Sequence, residues 1–221
     1  MIKDEIREQT RKTGNMTFKE KLEYFWTYYK WYLIGGIVAL LFLINIVNSV
    51  LNSKDVCFMV AFLNSDGYGK QEALQLEATE AMGFDTNKYR VSYDVDLYLR
   101  GNLSTTAAGV NGLSTLLYAK DLDIMVSDEM GNNWIRDSHV MAPLDTFLSA
   151  EFLEDYKDSI IEYTNPEDGT TIKAFIKAPK DCRLYSLGLY DQELNGEIYV
   201  SIACTTQRGE LAERYLRYLL G

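Results

Sequence analysis

The sequence predicts an α/β protein with one N-terminal transmembrane helix followed by a mainly parallel β-α-β sheet domain. Three observations carry this. Residues 32–51 (YLIGGIVALLFLINIVNSVL) are twenty positions without a charge. From residue 56 onward, apolar runs of strand length alternate with stretches of helical spacing. Charge is also unevenly divided. Residues 1–54 carry eight basic and five acidic side chains and the remainder 14 and 27, so the formal net charge of −10 divides into +3 and −13, and the C-terminal part is strongly acidic.

Thr17 and Glu20 have the spacing of a capping box, which predicts a helix start at Thr17. Phe25, Trp26, Tyr28, Tyr29, Trp31 and Tyr32 then form an aromatic collar suited to the headgroup zone. At 1.5 Å per residue, residues 32–51 reach about 30 Å, the thickness of a hydrocarbon core. Seven basic residues precede them (Lys3, Arg7, Arg11, Lys12, Lys19, Lys21 and Lys30) and only Lys54 closely follows. That bias places the N-terminus in the cytoplasm and the C-terminal domain outside. The leading polar region is long, no small-x-small cleavage site follows, and no lipobox-like cysteine is present, so an uncleaved signal anchor is expected. The domains predicted are therefore a tail and juxtamembrane helix at 1–31, a span at 32–51 and an extracytoplasmic domain at 55–221. Gly35, Gly36 and Ala39 make a small-xxx-small pattern that permits a homodimer.

Residues 56–63 (VCFMVAFL) form a continuous apolar run, as in a strand covered on both faces. Helical spacing follows at 69–82, alternation at 89–97 (YRVSYDVDL), a glycine-containing helix at 103–119 and a short strand at 122–126. Strand-helix-strand order of this kind requires right-handed crossovers and a parallel sheet. A helix is expected at 149–158 with Ser149 as its cap. Hairpins are expected for 160–164 with 172–178, and for 184–190 with 197–204 around Asn195-Gly196. A last helix spans 209–220.

The composition and motifs exclude several functions. A domain this acidic repels nucleic acid, so no nucleic-acid partner is expected. No P-loop, Gly-x-Ser-x-Gly, His-Glu-x-x-His or Cys-x-x-Cys occurs, and His139 is the only histidine. No catalytic residue, metal ligand set or cofactor is therefore predicted. Cys57, Cys182 and Cys204 lack metal spacing and read as buried thiols serving as small apolar residues. Topology supplies the candidate site. Open parallel sheets bind ligands beyond the carboxyl ends of their strands, next to helix N-termini. Those positions are Asn64, Ser65 and Asp66 after the first strand, Asp96 and Tyr98 after the second, and Ser127 and Asp128 after the third. Trp134 stands close by as a stacking face. Asn, Ser and Asp also form turns and caps, and Asp128 is placed to cap the helix through Trp134.

Three stretches resemble the type 2 periplasmic solute-binding proteins: residues 121–128 (DLDIMVSD), 141–148 (MAPLDTFL) with 151–157 (EFLEDYK), and 201–206 (SIACTT) running into 210–219 (ELAERYLRYL). The anchor is similar to those of uncharacterised membrane proteins of anaerobic Gram-positive bacteria. The resemblance implies one lobe of a two-lobed binding protein, since the stretch between Lys173 and Tyr199 is too short for a second lobe. The helix-opening proline of that family is replaced by Arg208-Gly209. One lobe buries too little of a free solute, so the implied function is a non-enzymatic interaction or accessory module with an envelope protein partner. The alternative is a solute receptor whose cleft a second copy or partner completes.

Overall fold

The computed structural model describes residues 17–51, 53–67, 69 and 71–221. Lys3, Arg7, Arg11 and Lys12 lie outside the described residues. The chain divides into two units, residues 1–53 and 54–221.

The first unit holds α1 (Phe18–Leu51). The backbone N–H and hydroxyl of Thr17 donate to the Glu20 carboxylate at 2.8 and 2.9 Å, which fixes the start of the helix where the capping spacing predicts it. Residues Tyr29–Val50 have a mean hydropathy of 2.3 with none of the window buried, so α1 is long and apolar enough to cross a membrane.

The second unit is a three-layer α/β domain. Its strands are β1 (Asp55–Leu63), β2 (Tyr89–Leu97), β3 (Ile124–Ser127), β4 (Ile160–Thr164), β5 (Thr171–Lys177) and β6 (Tyr199–Ile202). They form one sheet in the order β2-β1-β3-β6-β5-β4. β1 pairs in parallel with β2 on one side and β3 on the other. The pairings β3 with β6, β6 with β5, and β5 with β4 are antiparallel. The parallel part is thus confined to β2-β1-β3, and the mainly parallel sheet of the sequence reading becomes a mixed one.

Alternation along β1 divides the core. Phe58, Val60 and Phe62 face one side, where α2 (Gln71–Ala81) packs through Ala78 and α8 (Ala212–Leu220) through Tyr215, Leu216 and Leu219. Ala61 and Leu63 face the other, against Leu113 and Leu117 of α3 (Leu103–Ala119) and Ile135 of α4 (Glu129–Asp137). Opposite-face helices for β1→β2 and β2→β3 are what right-handed crossovers to the two sides of β1 require. Thr79 of α2 also closes part of the sheet edge, accepting the Val91 N–H at 2.8 Å.

The glycines that weaken the helix reading of 103–119 have a packing reason. A Cβ on Gly109 would lie 2.2 Å from the Tyr98 carbonyl oxygen and 2.8 Å from its carbon. α3 can therefore touch the exit of β2 only while residue 109 is bare. Gly109→Ala should destabilise the domain by about 1–3 kcal/mol through overpacking, despite about 1 kcal/mol of gained helix propensity. A lower urea midpoint at unchanged m-value checks it.

The β4–β5 hairpin forms as read, closed by the Asn165 N–H donating to Thr170 O at 2.8 Å. Ser149 caps α5 (Ala150–Asp155), accepting from Phe152 N. The hairpin expected from 184–190 and 197–204 does not form. Arg183–Ser186 is a helical turn (α6), and only Tyr199–Ile202 is strand, inserted between β3 and β5. Asn195 ends a second turn, α7 (Gln192–Asn195), whose cap Asp191 accepts from Glu193 N and Leu194 N. Gly196, at φ +70°, supplies the positive φ that leaves a helix as readily as it makes a hairpin turn. The two readings share one signal. Cys57 and Cys182 are buried as expected, but Cys204 is exposed, and all three are free thiols.

Candidate functional site

The carboxyl ends of β1, β2 and β3 meet as the topology predicts, and one asparagine joins them. Asn64 leaves β1 at φ +57°, a left-handed conformation that Asn tolerates better than most residues. Its backbone N–H donates to Leu97 O of β2 at 3.0 Å. Its side-chain amide donates to Asp128 Oδ1 at 2.8 Å, and its Oδ1 accepts from Leu99 N at 2.7 Å. Asn64 is fully buried.

Asp128 caps α4, its Oδ1 accepting from Gly131 N at 2.9 Å. A Cβ at Gly131 would meet Ser127 Cβ at 2.8 Å, so the first turn of α4 sits directly on the end of β3. Tyr190 closes the other side. Its buried hydroxyl shares one proton between Leu63 O at 2.8 Å and Val126 O at 2.9 Å. Burial pushes this phenol well above its ordinary pKa, and the neighbouring Asp128 charge adds to the shift.

Arg100, which the sequence reading did not single out, stands outside this layer. Its guanidinium lies 3.5 Å from Asp66 Oδ1 and 3.9 Å from Asp128 Oδ2. A single cation after β2 amid three strand-end aspartates was the signal available. Tyr98, half-buried beside it, has its phenol raised by burial and by the charges of Asp96 and Asp66. Tyr190 had no local signal, because its role depends on a contact 127 residues away.

The structure therefore brings Asn64, Asp66, Tyr98 and Asp128 together, with the Asp96 charge close enough to act on Tyr98, and turns the other candidates to structural uses. Ser65 is buried and donates to Val95 O at 3.2 Å. Asp96, near the end of β2, is exposed, and its N–H donates to Asp94 Oδ1. Ser127 is buried, and its hydroxyl has no partner among the described residues. Trp134, on α4, is half-buried and packs against the apolar core of that face of the sheet. Chemically, the layer holds its groups in internal hydrogen bonds. Asn64 and Asp128 spend their facing atoms on each other and on the backbone.

No group of three or more His, Cys, Asp or Glu could hold a metal ion among the described residues. His139 is exposed, at φ +54°, with its Nδ1 3.0 Å from the Tyr163 hydroxyl. At the opposite end of the sheet, Asp123 is buried with its carboxylate held by four contacts. It accepts from Met59 N (2.8 Å), Thr206 Oγ1 (2.5 Å) and twice from Arg208 Nε (2.9 and 3.2 Å). Burial pushes the Asp123 carboxyl up, and these donors pull it back in part. An open groove of about 540 Å³ lies between α5 and the β4–β5 hairpin, lined by Leu153, Ile160, Lys157, Lys173, Glu154 and Glu162.

No family model, no curated protein and no solved structure matches this chain.

Proposed function

We propose that this chain is a membrane-anchored, non-enzymatic interaction module. In this reading α1 is an uncleaved anchor, the N-terminus is cytoplasmic, and residues 54–221 work outside the membrane beside an envelope protein partner. One observation supports it above the rest: the polar groups at the carboxyl ends of the strands are committed to one another. A solute site at that end needs convergent polar groups free to bind. Here Asn64, Asp128 and Tyr190 serve as a structural lock, and Asp66 and Arg100 are left on its surface. The sequence resemblance to one lobe of a type 2 solute-binding protein fits a lobe that meets a protein rather than a free solute.

The alternative, a small-molecule receptor, is favoured by the groove between α5 and β4–β5. Its volume falls in the range of ligand pockets, and it presents charges of both signs.

Two measurements test the reading. The full chain should stay with membranes through alkaline carbonate washing, keep its N-terminus, and expose residues 54–221 to protease added outside. Cleavage after α1, or release by carbonate, sinks the anchor. Thermal unfolding against sugars, amino acids, oligopeptides and divalent cations then separates module from receptor. A ligand at a hundred times its Kd adds about 2.7 kcal/mol. A saturable shift with one compound class makes the protein a receptor.

A further inference from the structure

Anchoring alone does not require the pattern on α1. Stepping four and then three residues from its first position gives Phe18, Leu22, Phe25 and Tyr29. The same steps run on through Gly36 and Ala39 to Val50. All five charged residues of the helix (Lys19, Glu20, Lys21, Glu23 and Lys30) fall off this stripe. Alternating steps of four and three are the 3.5-residue repeat of a left-handed helix pair. Within the apolar span any face would look similar, so the first turns decide the matter. The membrane-length segment begins at Tyr29. Residues 18–28 therefore project about 16 Å beyond it at 1.5 Å per residue. The helix is unbroken through this junction, so these turns continue its axis and do not fold down onto the lipid. Phe18 and Leu22 are 83% and 61% exposed there, and Phe25 stacks on Tyr29 at 5.4 Å. Phe25 and Tyr29 sit at the level of the aromatic collar, but Phe18 and Leu22 carry the ridge past it into water, and that calls for a cover.

We propose that the cover is a second copy of this chain, packed in parallel along the stripe. The proposal rests on the membrane-spanning reading above. An occupant of the whole stripe must be a helix that crosses the same membrane and projects equally far on the same side in the same register. A second copy does so by symmetry, placing each ridge residue against its counterpart. Under that reading the membrane separates residues 54–221 from residues 18–28, so the chain's own α/β domain cannot serve. At the waist of the stripe Gly36 leaves bare backbone, which admits a close helix.

The test uses the full chain in membranes, with the exposed thiol removed as Cys204→Ser. Leu22→Cys and Phe25→Cys report on the stripe, Glu23→Cys and Thr27→Cys on the face away from it. Oxidation should link the stripe variants into a species of twice the chain mass, several-fold more than the other two. Adding Gly36→Leu to the Phe25→Cys variant should reduce that linking about tenfold. Equal linking on both faces, none on either, linking unchanged by Gly36→Leu, or a product of another mass overturns the proposal. Carbonate extraction of the same samples separates the causes. A chain that is inserted but unlinked refutes the pairing alone, whereas a chain released by carbonate refutes the anchor beneath it.

Discussion

Asp123→Ala is expected to destabilise the α/β domain by about 3–5 kcal/mol, the cost of breaking a buried ion pair from one side. The loss has three physical parts. Arg208 would keep its charge with no carboxylate to face, Met59 N–H would lose the partner that replaces a ladder bond, and Thr206 would lose its acceptor. Arg208 also donates to the carbonyls of Val56 and Asp121, so one guanidinium ties the start of β1, the entry to β3 and the segment after β6. Asp123→Asn keeps the size and one acceptor and should cost less. For a domain of this length each kcal/mol lowers Tm by roughly 2–4 °C, and a fall of under 2 °C in the alanine variant would discount the lock.

The second large effect is expected at Asn64. Asn64→Ala removes the acceptor of the buried Leu99 N–H and the donor to Asp128, and it places a Cβ-bearing residue of poor fit at φ +57°. Leaving a buried group unpaired costs about 1–3 kcal/mol, and the left-handed backbone adds about 1–2 kcal/mol for an ordinary residue. Asn64→Gly separates the two, because glycine takes positive φ freely and should recover the backbone part alone. Urea unfolding of both variants measures the difference. If alanine and glycine prove equal, backbone strain does not explain why asparagine stands there.

Part of this architecture was legible because it is local. The uncharged run at 32–51, the doubly covered strand at 56–63, the Thr17–Glu20 box and the Asp128 cap each depend on residues within a few positions of one another. The sheet order was legible only where β-α-β units dictate it, at β2-β1-β3. Beyond that the chain gave misleading cues. Asn195-Gly196 needs a positive φ in either a hairpin or a helix exit, and buried Leu187 and Leu189 are spaced as in a strand although they follow the helical turn Arg183–Ser186. The candidate site was found by topology, but its state was not. That Asn64 and Asp128 bind each other depends on a 64-residue separation, and the Arg208–Asp123 lock on one of 85. Local pattern carries no trace of such pairs, and Cys204 is exposed for the same reason: its surroundings are assembled from distant strands.

The position of β6 has a consequence for how the protein is made. It joins the parallel trio β2-β1-β3 to the β5–β4 hairpin, and it is the last of the six strands to leave the ribosome. Until Tyr199–Ile202 arrives, β3 and β5 each carry an open edge, and open edges recruit strands from other chains. For nearly all of its synthesis the domain is two unfinished sheets. In the interval before the closing strand docks, holding those edges apart falls to whatever chaperones meet the emerging chain, and a stall short of residue 202 leaves them open for good.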